Sequence, residues 1–90
     1  MQYFDWNTDK NERLKAERNV SFEDVIAAFE EKRLLDIIDH PNSLKYPEQK
    51  LAIVELHNYA YIVPLVGKEQ TLYLITIYPS RKASKKYLNI

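Results

Sequence analysis

Ninety residues with no cysteine, a single glycine and 13 basic residues against 13 acidic describe one small domain, residues 1–90, with no net charge. The missing cysteine excludes a disulfide framework and a thiolate metal site, and the balanced charge excludes bulk affinity for nucleic acid. No apolar run approaches the roughly 20 residues that span a bilayer, and the opening MQYFDWNTDK has no basic stretch leading into an apolar one as a secretion signal does, so a cytoplasmic protein with no membrane partner is expected.

Taken in order, QYFDW reads as a first strand carried by Tyr3, Phe4 and Trp6. Asn7 or Thr8 then caps a polar helix reaching about Glu17, with Leu14 and Ala16 as its main apolar contacts. The next helix carries the clearest local signal. Ser21 and Asp24 stand at capping-box spacing, Val20 and Val25 at the spacing of a hydrophobic staple, and Phe22, Val25, Ile26 and Phe29 fall on one helical face. That face is expected to pack on a sheet.

From Leu34 the period shortens to that of strands. LLDIIDH stops at Pro41, KLAIVELH follows a polar connection, AYIVPLV follows a tight turn at Asn58-Tyr59, and QTLYLITIY follows a turn at Gly67-Lys68-Glu69. The last of these is apolar on both faces and is expected to be central. Pro64 is expected at an edge or beside a bulge, because proline cannot donate to the ladder. A short helix over 81–88, capped by Ser80, completes the order β-α-α-β-β-β-β-α. This is an α+β domain with a mostly antiparallel sheet, two helices packed on it and a short C-terminal helix.

Few constellations carry chemistry. The one glycine leaves no phosphate-cradling loop, and no metal or other cofactor is expected. Two histidines stand at strand ends, and Glu55 and His57 share a strand face, as do Asp36 and Ile38. A Glu–His pair there would suit acid–base work, but a strand end entering solvent is the favoured explanation.

The C-terminal segment is different. Residues 1–40 hold ten acids and six bases, whereas residues 41–90 hold three acids and seven bases, so a local positive field is expected despite the zero net charge. Arg81, Lys82, Lys85 and Lys86 follow directly on the last strand, with Tyr78 and Tyr87 on either side and Tyr46 as a further aromatic candidate. RNA cleavage by 2′-hydroxyl attack needs a base, cations on the crowded phosphate and a proton donor for the leaving oxygen. Arginine clamps phosphate through its forked donors. Tyrosine stacks on a base, or transfers a proton if nearby cations lower its pKa. Lysines at a helix C-terminus also serve solubility and the helix dipole alone.

The stretches FDWNTDKNERLKAERNVSFEDVIAAFEE and ITIYPSRKASKKYL together resemble the BrnT family of type II toxin–antitoxin toxins, over nearly the whole chain. The resemblance implies a RelE-like ribonuclease fold and cleavage of mRNA, free or on the ribosome, that inhibits translation. It also implies a cognate antitoxin with a ribbon-helix-helix DNA-binding part, through which the complex meets operator DNA. It carries over Arg81, Lys82 and Ser84, and Tyr87 by analogy with the wider RelE-like group; together with the residues of the basic segment this gives Arg81, Lys82 and Tyr87 as the catalytic set and Lys85, Lys86, Tyr78, Ser84 and Arg18 as RNA-binding. Arg18 stands where family members often have histidine, and Tyr87 where they tend to have glutamate. The alternative is a catalytically degenerate homologue that binds its antitoxin and acts in autorepression.

Overall fold

Residues 2–90 are described by a computed structural model. The elements are β1 (Tyr3–Trp6), α1 (Thr8–Arg18), α2 (Phe22–Glu30), β2 (Leu34–Asp39), β3 (Gln49–Leu56), β4 (Tyr59–Lys68), β5 (Thr71–Leu74), β6 (Tyr78–Pro79) and α3 (Arg81–Ala83). The last runs straight into a π-helical stretch (Ser84–Leu88), and the two together form the C-terminal helix. The expected α+β class is present, with one strand more than the expected order. Among the described residues no helix is long and apolar enough to cross a membrane.

Local chemistry sets both long helices. The Asn7 side chain accepts the Lys10 N–H at 2.8 Å and opens α1, and Asn19 closes it in the left-handed conformation. Ser21 and Asp24 form the full capping box on α2, each side chain accepting the other's backbone N–H. Leu14, rather than Leu14 with Ala16, is the buried residue of α1, and it is joined by a polar one. Asn11 is 3 % exposed; its amide donates to Glu23 and its carbonyl oxygen accepts the Phe22 N–H, both at 2.8 Å.

The sheet has the strand order β1-β5-β4-β3-β2, with β6 also paired to β4. All neighbours are antiparallel except β1 and β5, which run parallel with Tyr3 opposite Thr71 and Trp6 opposite Leu74. The predicted last strand is therefore two strands. Opposite Val63 and Pro64 of β4 lie Ile75, Thr76 and Ile77, one residue more, which is a bulge between β5 and β6. The Pro64 carbonyl accepts the Ile75 N–H at 3.0 Å. A strand residue points its N–H and C=O to the same side, so the donor that Pro64 lacks would have faced this bulge. Proline thus sits in an interior strand, beside the irregularity it was expected to need.

Two turns fall elsewhere than expected. The β3–β4 turn is His57-Asn58, both at positive φ, as a two-residue hairpin turn requires. The β4–β5 turn is Glu69-Gln70, while Gly67 lies within β4 opposite Leu72. Among the described residues, positive φ is carried by Asn19, Lys32, His57, Asn58, Glu69 and Asn89, and not by the glycine.

The core lies between the helices and one face of the sheet. Leu14, Val20, Phe22, Val25 and Ala28 pack on Ala52, Val54, Leu56, Val63, Leu65, Leu74 and Ile77. Trp6 stacks on Phe22 and Phe4 tilts against Phe29, which locks the first strand to α2. The other face is covered at one end only. There Ile53 and Ala60 pack against Ala83, with Ile62, Tyr87 and Leu88 around them.

Candidate functional site

The C-terminal helix is fastened across the uncovered face by serines. The Ser80 hydroxyl caps the helix by accepting the Ala83 N–H, and the Ser80 N–H donates to the Ala60 carbonyl, both at 3.0 Å. The Ser84 hydroxyl accepts the Ala60 N–H at 2.8 Å. Both backbone groups of Ala60 are thereby satisfied where the β6 pairing ends.

Between this helix, the sheet and Pro41 runs a cleft of about 300 Å³. Its floor is apolar, from Ile38, Leu51, Ile53 and Ile62, and it is lined further by Lys82, Lys86 and Tyr87 of the helix and Tyr78 of β6. A hollow of about 430 Å³ on the helix-bearing face of the sheet is larger. Its lining includes Ile37, Leu65 and Leu72 with one lysine, Lys50, and one acid, Glu48. Two ammonium groups with two phenols over an apolar floor make the smaller cleft the better anion and ring site.

The predicted residues separate cleanly. Lys82 and Lys86, four apart, both line the cleft, as do Tyr78 and Tyr87. Arg81 and Lys85 are exposed on the neighbouring side of the helix. Lys86 places its ammonium 5.3 Å from the centre of the Tyr87 ring. Ser84 leaves the RNA-binding set, since it is 1 % exposed and its hydroxyl is committed to Ala60. Arg18 is committed elsewhere as well: its guanidinium donates to the Ile77 carbonyl in the bulge, tying the end of α1 to the sheet.

Sequence reading did not connect Asp36 with this site. The Tyr87 hydroxyl donates to the Asp36 carboxylate at 2.6 Å, across the open edge of the sheet from β2. The other Asp36 oxygen accepts the Ile37 N–H at 2.8 Å. The shared face of Asp36 and Ile38 was legible from strand parity, whereas the partner 51 residues away was not. The bond holds Asp36 below the usual carboxylate range, helped by the Ile37 N–H and then by Lys86. It pushes the Tyr87 phenol above the usual tyrosine range. Cations lowering the Tyr87 pKa was the condition for a proton-transfer role, and the Asp36 carboxylate acts in the opposite direction. The bond is complete above the ordinary carboxylate range and lost as pH falls through the depressed Asp36 value. It is lost again as pH rises through the raised Tyr87 value.

The histidines lie apart from this chemistry. His57 sits in the turn, so the Glu55–His57 strand pair does not form, and its Nε2 lies 3.1 Å from the Asn19 carbonyl. A carbonyl only accepts, so Nε2 carries the proton. His40 packs its ring 4.7 Å from that of Tyr46, and its Nδ1 accepts the Asn42 N–H. Tyr46 therefore belongs to the connecting loop, with Lys45 over its ring. Among the described residues no three His, Asp or Glu side chains converge as metal ligands. No family model matches the chain, and no curated protein matches it.

Proposed function

We propose that the chain is a BrnT-like toxin of a type II toxin–antitoxin system, a cytoplasmic endoribonuclease that cleaves mRNA, inhibits translation and is neutralised by a cognate antitoxin. The observation that supports this reading is the convergence of Lys82 and Lys86 with Tyr78 and Tyr87 on one apolar-floored cleft. Single-stranded RNA needs those two things together, cations along its backbone and flat rings beneath its bases. Lys82, which lines the cleft at the start of the C-terminal helix, is the group suited to a pentavalent phosphate, and Arg81 adjoins it from the neighbouring side of the helix. Induced expression of wild type beside Arg81→Ala and Lys82→Ala tests it, with growth and mRNA integrity followed. Growth arrest and mRNA cleavage are expected from wild type and loss of both from the variants. Equal harmlessness of all three, with expression and folding verified, overturns it.

One observation favours a second reading, a homologue that binds its antitoxin and represses without cleaving. The Asp36 bond keeps the Tyr87 phenol protonated, which removes the nearest candidate base. On this reading the purified chain and the product of the adjacent reading frame co-elute and shift operator DNA only together, while RNA stays intact. Either reading has the acidic antitoxin cover the cationic helix, so the complex weakens with added salt.

A further inference from the structure

A phenol has one proton to donate and lone pairs to accept with. The Tyr87 hydroxyl donates its proton in a 2.6 Å hydrogen bond to the Asp36 carboxylate, and the residue lines the cleft. Whatever meets its oxygen there must therefore bring a proton of its own. Of the other polar residues lining the cleft, Lys82 and Lys86 donate and cannot accept, Ser80 accepts the Ala83 N–H, and the Tyr78 phenol, with no partner that fixes its proton, can turn either way. The cleft so presents donors where a phosphate would lie and one fixed acceptor beside them.

We propose that Asp36 is a positioning residue that fixes Tyr87 as an acceptor, and that this acceptor reads the ribose 2′-hydroxyl, so that the cleft prefers RNA to DNA. The inference rests on the RNA reading above and deepens it. A deoxyribose offers no donor at this point, and its C–H would leave the phenol oxygen without a partner. A 2′-O-methyl ribose keeps the sugar oxygen and loses the proton, so it is rejected for the same reason. The Asp36 charge itself does not discriminate, since it repels RNA and DNA phosphates alike. The ratio of the two affinities isolates the phenol from the field around it.

The test is the binding of intact wild-type protein to three single-stranded probes of equal length, oligouridine, oligodeoxyuridine and 2′-O-methyl oligouridine, followed by fluorescence anisotropy. Gel analysis confirms that the probes stay whole, and circular dichroism confirms that each variant is folded. Wild type is expected to prefer oligouridine over both others by about threefold to tenfold, the range of one neutral hydrogen bond. Tyr87→Phe keeps the ring and loses the acceptor, so the preference should fall to about one. Asp36→Ala frees the phenol proton to turn into the cleft; all three affinities should rise with the lost negative charge, and the preference should shrink. Equal wild-type affinity for the three probes, or a preference that survives in Tyr87→Phe, overturns the assignment and leaves the RNA reading standing. Absence of wild-type binding to oligouridine overturns both.

Discussion

Asn11 shows how much one polar side chain decides. It lies on a helix whose sequence is almost wholly hydrophilic, yet it is 3 % exposed and both of its side-chain bonds go to α2. Its carbonyl oxygen satisfies the Phe22 N–H, one of the first-turn donors that a helix cannot satisfy itself. Its amide holds Glu23 below the usual carboxylate range. Asn11→Ala should lower stability by about 1–3 kcal/mol, the cost of leaving buried partners unmatched, measured by urea denaturation. A loss below about 0.5 kcal/mol would mean that water replaces the amide at no cost. The Glu12–Lys15 pair on the same helix is exposed, and Glu12→Ala should change little by comparison.

The elements whose signals are local were legible. The capping box of α2, the Asn7 cap of α1 and the Ser80 cap all depend on residues three apart, and each forms. The hairpin turns were displaced by one or two residues because positive φ is carried here by His57, Asn58 and Glu69, whereas the expected turns began at Asn58 and at Gly67. The parallel pairing of β1 with β5 and the bulge opposite Pro64 required the sheet itself. The site divides in the same way. Four cations beside two tyrosines were visible in the sequence, but which pair faces the cleft follows from how the helix is fastened. Ser84 is the pin. Ser84→Ala leaves the buried Ala60 N–H without its acceptor and should cost about 1–3 kcal/mol. Amide exchange at Ala60 and along the C-terminal helix should accelerate more than exchange in α2. Uniform acceleration across the chain would place the role of Ser84 in global stability rather than in fastening this element.

A zero net charge conceals a molecule with two unlike sides. On one face of the sheet α2 carries Glu23, Asp24 and Glu30 with no base, and α1 is of mixed charge, while the C-terminal helix brings Arg81, Lys82, Lys85 and Lys86, with no acid, to the other. Binding of single-stranded RNA should then depend on salt as a contact of a few charges, not as bulk attraction. With Arg81, Lys82 and Lys86 each meeting one phosphate, log Kd should rise with log salt at a slope of about 2, from about 0.7 per contact. Lys82→Ala and Lys86→Ala should each reduce the slope by about 0.7, and Lys10→Ala, on the helical side, should leave it unchanged. A slope that Lys10→Ala reduces equally would show that RNA does not select the cleft.

The left-handed residues have a consequence for the chain before it folds. At Lys32 and Glu69, where neither asparagine nor histidine eases the conformation, an L-residue at positive φ costs about 1–2 kcal/mol. A β-carbon at each of these corners also narrows what the unfolded backbone can sample, so less entropy is lost on folding and part of that strain is offset. Glycine at either site would relax the native turn and loosen the denatured chain together, with opposing effects on stability. With one glycine in 90 residues, the denatured ensemble has few flexible joints, and collapse begins from a restricted set of chain directions.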